Sequence, residues 1–181
     1  MARRVIVLDR DGVINWDSEN YIKSPTEWRP LPGSLTAIAQ LSAAGFEVVI
    51  CTNQSGLARG LLSLHDLSAI HSRMDCAVRA AGGRLAAIFI CPHGPADGCL
   101  CRKPLDGLLR SIERYFGISL RDQPVVGDSA RDLEAAYRVG ARAMLVRTGN
   151  GERTLTNKMV KVSEVYPNLA ALAECLLKET L

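Results

Sequence analysis

The chain has 181 residues, 48% of them hydrophobic and 23% charged, with a net charge of +3. That length fits one domain spanning 1–181, with a core of ordinary size. The mild, scattered basic charge and 5% aromatic content argue against a nucleic-acid surface. No apolar run approaches the roughly 20 residues of a membrane span. The four-residue apolar stretch after Arg3-Arg4 is too short for a secretory leader, so a cytoplasmic location with reduced thiols is expected.

In chain order, residues 5–8 (VIVL) read as a buried strand and 34–44 as a helix, with Leu35, Ile38 and Leu41 on one face and Gly45 as its stop. Residues 47–51 (EVVIC) form a second strand. Residues 63–81 form a long helix with Ser63 as N-cap and Leu67, Ile70, Met74 and Val78 as its apolar stripe. Residues 86–91 (AAIFIC) make a third strand. Pro104 is placed to open a helix running to Phe116. Residues 124–127 and 143–147 are short strands around a helix at 129–139, and the tail from Pro167 reads as a surface helix. Alternating strands and helices predict a parallel sheet covered on both faces: a Rossmann-like α/β/α sandwich. Ligands of such sheets bind at the carboxyl ends of the strands.

Those ends carry the polar signatures. Asp9-Arg10-Asp11-Gly12 follows the first strand and Thr52-Asn53-Gln54-Ser55-Gly56 the second. Arg102-Lys103 closes the loop after the third. Gly127-Asp128-Ser129 follows the fourth, with Asp132 one turn on. Two residues apart in extended chain, Asp9 and Asp11 are expected to point the same way. With Asp128 they make an oxygen-rich set suited to Mg²⁺, which takes one or two carboxylates plus a substrate phosphate. A carboxylate can attack phosphorus, a neighbouring acid can protonate the leaving oxygen, and Lys103 with the Thr52 hydroxyl can neutralise the phosphoryl oxygens. Taken singly, each element has a blander reading as a solvated loop, a turn or a helix cap.

A second metal centre is written into ICPHGPADGCLCRKP. Cys91, His93, Cys99 and Cys101 offer three thiolates and an imidazole, a closed tetrahedral set for structural zinc rather than a catalytic site with an open position. A disulfide is disfavoured by the expected compartment and by the small ring a Cys99–Cys101 bond would close. Cys51, Cys76 and Cys175 are expected to be small core residues. His65 and His71 receive no role.

Asp9-x-Asp11-Gly12, Thr52, Lys103 and Gly127-Asp128-x-x-x-Asp132 resemble the four motifs of the haloacid-dehalogenase-like (HAD) phosphatases across residues 5–147. The resemblance implies Asp9 as nucleophile, Asp11 as general acid/base, and Mg²⁺ on Asp9, the Asp11 main-chain carbonyl and Asp128. It leaves Asp132 to orient its neighbours. The cysteine loop is similar to that of a compact subgroup without a large cap domain, the heptose 1,7-bisphosphate 7-phosphatases and the bacterial histidinol-phosphate phosphatases. TNQSGLARG is closer to the heptose enzymes. That resemblance implies a phosphorylated sugar as substrate and a place in the synthesis of nucleotide-activated heptose for lipopolysaccharide core. Histidinol phosphate stays open as the alternative, as does a non-catalytic zinc-containing binding protein. With no room for a lid, specificity falls to loops, with Asp17, Asn20, Tyr21, Asn53, Gln54, Ser55, Arg59 and Arg102 as candidate substrate contacts. A monomer is expected.

Overall fold

The structure is a computed structural model, and it describes residues 3–157 and 162–179. Six parallel strands form one sheet in the order β3-β2-β1-β4-β5-β6. They are β1 (Arg4–Leu8), β2 (Phe46–Asn53), β3 (Ala87–Cys91), β4 (Pro124–Gly127), β5 (Arg142–Val146) and β6 (Glu164–Tyr166). The helices are α1 (Ser34–Ala43), α2 (Leu64–Ala80), α3 (Gly107–Phe116), α4 (Ala130–Arg138), α5 (Gly151–Thr156) and α6 (Leu169–Lys178). The expected three-layer α/β/α architecture is present.

The apolar runs are continuous because the sheet is covered on both faces. Alternation inside each run divides the core. Ile6, Leu8, Val48, Ile50, Val126 and Met144 face α1, α2 and α6, whereas Val5, Val7, Val49, Val125 and Leu145 face α3 and α4. Each such side chain, taken fully from water, contributes about 1.5–3 kcal/mol. Helix α6 is more than a surface helix, since Leu169, Leu172, Ala173 and Leu176 are buried against the first of these layers.

Three further expectations change. Helix α3 starts at Gly107 rather than Pro104, because the Leu105 and Gly107 amides donate back to the carbonyls of Arg102 and Leu100, folding 102–106 into turns. Of the three cysteines assigned to the core only Cys51 is fully there. Cys76 is exposed because it lies off the Leu67–Ile70–Met74–Val78 stripe of α2, and Cys175 is half-buried. Strand β6 and helix α5 were not anticipated.

The chain runs β1 to β2 to β3 on one side and then returns to β4 on the other side of β1. This reversal is a topological switch point, where the carboxyl ends of two neighbouring strands open a crevice. The Asp9 amide donates to the Val126 carbonyl at 2.9 Å, fixing the end of β1 beside the end of β4. Asp9 and Asp128 are thereby delivered to the same crevice.

Candidate active site

A cavity of about 360 Å³ opens at this crevice. Its lining includes Asp9, Arg10, Asp11, Thr52, Lys103, Asp128 and Asp132 at the floor. Around them stand Asp17, Ser18, Glu19, Tyr21, Asn53, Gln54, Ser55, Arg59, Arg102, Arg131 and Asn150, among others. All the positions expected for catalysis, Mg²⁺ or substrate except Asn20 line it; Asn20 is exposed, and its carbonyl accepts from Lys23 Nζ at 2.7 Å.

Lys103 is buried, and its ammonium has three partners: Asp132 Oδ1 at 2.6 Å, the Cys51 carbonyl at 2.7 Å and Asp9 Oδ1 at 3.1 Å. Burial would lower its pKa, but Asp132 and Asp9 outweigh burial and hold it above the usual lysine range. Its main chain is clasped as well. Lys103 N–H donates to Asn53 Oδ1 and Asn53 Nδ2 donates to the Lys103 carbonyl, both at 3.1 Å. Asn53, a candidate sugar contact in the sequence, therefore spends its amide on positioning Lys103.

Asp132 completes a capping box at α4: its Oδ2 accepts from the Ser129 amide at 3.0 Å and from the Ser129 hydroxyl. Burial alone would raise Asp132, but Lys103 and the Ser129 donors hold it below the ordinary carboxylate range. With both oxygens of Asp132 engaged, the carboxylates left for a cation are Asp9 and Asp128. These two and Asp132 offer oxygens lying within 4.8 Å of one another. Burial pushes Asp9 up to about 8, Lys103 opposes that, and Asp132, Asp128 and Asp11 add to it. Asp128 is pushed up to about 6 by burial and by Asp132, with opposing donors from Asn150. Crowded, buried acids of this kind carry the repulsion that a hard divalent cation relieves, so the donor set fits Mg²⁺. Gly12 and Gly149 both have positive φ, and a Cβ on either would overlap the Asp128 carboxylate, so the backbone closes directly around it.

Asp11 does not join that carboxylate group. Because β1 ends at Leu8, extended-chain alternation stops there, and Asp11 sits at an isolated bridge to Asn15 that brackets the turn at 12–14. Its Oδ1 accepts from Arg10 Nε (3.0 Å) and Asn15 Nδ2 (2.9 Å), and Arg10 Nη2 reaches both of its oxygens at 2.8 Å. Gln54 Nε2 bridges Asp11 Oδ2 at 3.1 Å and Thr52 Oγ1 at 2.9 Å, so Gln54 ties two floor residues together. Arg10 is 1% exposed and backed by His71 Nε2 at 3.4 Å from its Nη1. Burial first, and then Arg10, lower His71 to about 4, with Asp11 opposing.

Sequence reasoning missed Arg10, Asn15, His71 and Asn150. Asn150 donates to Asp128 Oδ2 from its backbone at 2.7 Å and from Nδ2 at 3.1 Å. It follows β5, so the same search at strand ends would have reached it had it continued to the fifth strand.

The cysteine loop brings its four candidate ligands together. Cys91 Sγ lies 3.7 Å from His93 Nδ1, 3.8 Å from Cys99 Sγ and 3.4 Å from Cys101 Sγ, and His93 Nδ1 lies 3.2 Å from Cys101 Sγ. A tetrahedron of ~2.3 Å Zn–S bonds has edges of about 3.8 Å, so the set fits zinc. All six cysteines are free. Arg102 Nη1 donates to the His93 carbonyl at 3.2 Å, which ties that guanidinium to the loop.

Comparison with known proteins settles the family. Residues 100–172 match the HAD-hydrolase-like family model. The chain is 53% identical over 177 residues to the D-glycero-β-D-manno-heptose-1,7-bisphosphate 7-phosphatase of Bordetella bronchiseptica, covering 97% of this chain and 99% of that protein. The chain belongs to the heptose-bisphosphate phosphatase family. Another member, from Pseudomonas putida, is 51% identical over 174 residues, covering 96% of this chain and 99% of its own. The crystal structure of the B. bronchiseptica enzyme, complexed with magnesium and phosphate, superposes with a TM-score of 0.94 at 53% identity over 97% of this chain and 99% of that one. A heptose-bisphosphate phosphatase structure from Burkholderia thailandensis has a TM-score of 0.76 at 42% identity, covering 97% and 99%. Among the described residues no helix is long and apolar enough to cross a membrane.

Proposed function

We propose that this protein is a Mg²⁺-dependent phosphatase that removes the 7-phosphate of D-glycero-β-D-manno-heptose 1,7-bisphosphate. The observation that carries the reading is full-length likeness to enzymes of that name, combined with a crevice holding Asp9, Asp11, Thr52, Lys103 and Asp128 together. The β-anomer enters from the relatives' names alone. Nucleotide-activated heptose synthesis, a cytoplasmic location and a monomeric state belong to the same proposal.

In this reading an Asp9 oxygen attacks phosphorus, a new O–P bond forms, and the bond from phosphorus to the sugar's O7 breaks. Asp11 delivers a proton to the departing oxygen. It then takes a proton from the water that attacks the aspartyl-phosphate, releasing phosphate and restoring Asp9. Lys103, fixed by Asp132 and the Asn53 clasp, neutralises phosphoryl charge beside Asp9, and the Thr52 hydroxyl donates to it. Arg10, Asn15 and Gln54 hold the Asp11 carboxylate in place. Mg²⁺ held by Asp9, Asp128 and the Asp11 main-chain carbonyl would supply charge neutralisation to the carboxylates and to the phosphoryl group. Zinc on Cys91, His93, Cys99 and Cys101 would have a structural part.

The test is phosphate release from a panel of both heptose anomers and histidinol phosphate. The β-bisphosphate is expected to give the highest kcat/KM. A higher value for histidinol phosphate overturns the substrate, and no hydrolysis of any phosphomonoester overturns the enzyme reading.

A further inference from the structure

The cations lining the cavity divide into two groups. Arg10 and Lys103 are committed to carboxylates on the floor. Arg59, Arg102 and Arg131 are not. Arg59 lies over the Tyr21 ring at 6.0 Å, and Arg102 donates to a carbonyl. Arg131 is exposed and, among the described residues, has no hydrogen bond or ion pair. Of the acids nearby, Asp132 is engaged by Lys103 and Ser129 and Asp128 by Asn150, while Glu134, one turn further along α4, makes no ion pair with Arg131.

Position separates Arg102 and Arg131 from Arg59. Both line the reaction cavity and also an adjoining hollow of about 380 Å³ lined by Gly94, Pro95, Gly98 and Cys99 of the cysteine loop. They therefore stand on the wall between the two spaces, one carried by the loop and the other by the first turn of α4. Guanidinium groups without a carboxylate partner, facing a shared opening, suit a phosphate that needs two planar forks of donors. A bisphosphate presents two dianions, and Lys103, with the cation that Asp9 and Asp128 would hold, accounts for one.

We infer that Arg131, acting with Arg102, binds the phosphate that stays on the substrate, which makes Arg131 a specificity-determining residue. This rests on the bisphosphatase reading above. Arg131 touches neither the nucleophile nor the transferred group, so its loss weakens selection for a second phosphate rather than the bond-breaking step.

The experiment compares wild type, Arg131→Gln and Arg131→Lys, loaded with Mg²⁺, on heptose 1,7-bisphosphate and heptose 7-phosphate. Arg131→Gln is expected to lower the bisphosphate-over-monophosphate ratio of kcat/KM by about tenfold to a hundredfold, the worth of a charge-assisted contact. The loss falls mainly in KM, and Arg131→Lys recovers part of it. Because Arg131 has no side-chain partner among the described residues, Tm should stay within about 2 °C. A ratio unchanged within threefold, or equal losses on both substrates, overturns the inference. Should wild type ignore both heptose substrates, the functional reading falls. The arginine subsite is then judged on fructose 1,6-bisphosphate against fructose 6-phosphate, where an unchanged ratio, or no wild-type preference for two phosphates, overturns it.

Discussion

Asp132→Asn is a nearly isosteric change that removes one charge from a buried network. In the native site Asp132 is 3% exposed and Lys103 5%, and their 2.6 Å contact is the shortest the ammonium makes. The variant leaves a buried lysine facing Asp9 alone among carboxylates. Breaking a buried pair by removing one partner costs about 3–5 kcal/mol. The amide oxygen can still accept one of the two former kinds of bond, from Lys103 or from Ser129, which places the loss near the lower end, at about 3 kcal/mol. For a chain of this size each kcal/mol moves Tm by roughly 2–4 °C, so a fall of about 6–12 °C is expected. Activity should fall too, since Lys103 would be drawn towards Asp9. The assay is urea unfolding and thermal melting, each in low and high salt. Burial shields the pair from counterions, so the difference between variant and wild type should persist at 1 M NaCl. A Tm change under 2 °C, or a difference that vanishes in salt, would refute the claim that Asp132 anchors Lys103.

Two other perturbations reach different parts of the site. Removing zinc with a chelator should lower Tm and raise KM more than it lowers kcat, because the loop carries Arg102 while Lys103 keeps its clasp to Asn53; added Mg²⁺ should not restore activity, and full activity in protein shown to be zinc-free would contradict this. His71 has a folded pKa of about 4 against an ordinary value of 6.5, held down by burial and Arg10, so the unfolded chain binds a proton there first. Its contribution to stability is present above pH 6.5 and is lost as pH falls towards 4, so the stability difference between wild type and His71→Asn should shrink over that range in urea titrations. A difference independent of pH would remove His71 from this account.

The strand-end motifs were readable because parallel sheets put their ligand-binding residues at one edge, so Asp9, Thr52, Lys103 and Asp128 followed from finding the strands. What escaped was set by partners distant in sequence or by short elements. Arg10 looked like the spacer in Asp-x-Asp, and only the turn after Leu8 shows its guanidinium folding onto Asp11 with His71 behind it. Asn53 and Gln54 resembled sugar contacts, whereas the Asn53 bonds to Lys103 are visible only once β2 and the loop after β3 are adjacent, and the Gln54 bond to Asp11 only once β2 lies beside the end of β1. Strand β6 is three residues long, half-buried and at the sheet edge, so it carries almost no periodic signal.

The Asn53 clasp separates two jobs that the sequence writes side by side. Arg102 and Lys103 are consecutive residues, yet one guanidinium is tied to a carbonyl of the cysteine loop while the other residue's backbone is tied to the end of a central strand. The ammonium therefore takes its coordinates from the sheet, and the loop's outer arc can change length or composition without moving it. Substrate preference can drift in such a scaffold while the phosphoryl chemistry keeps its geometry.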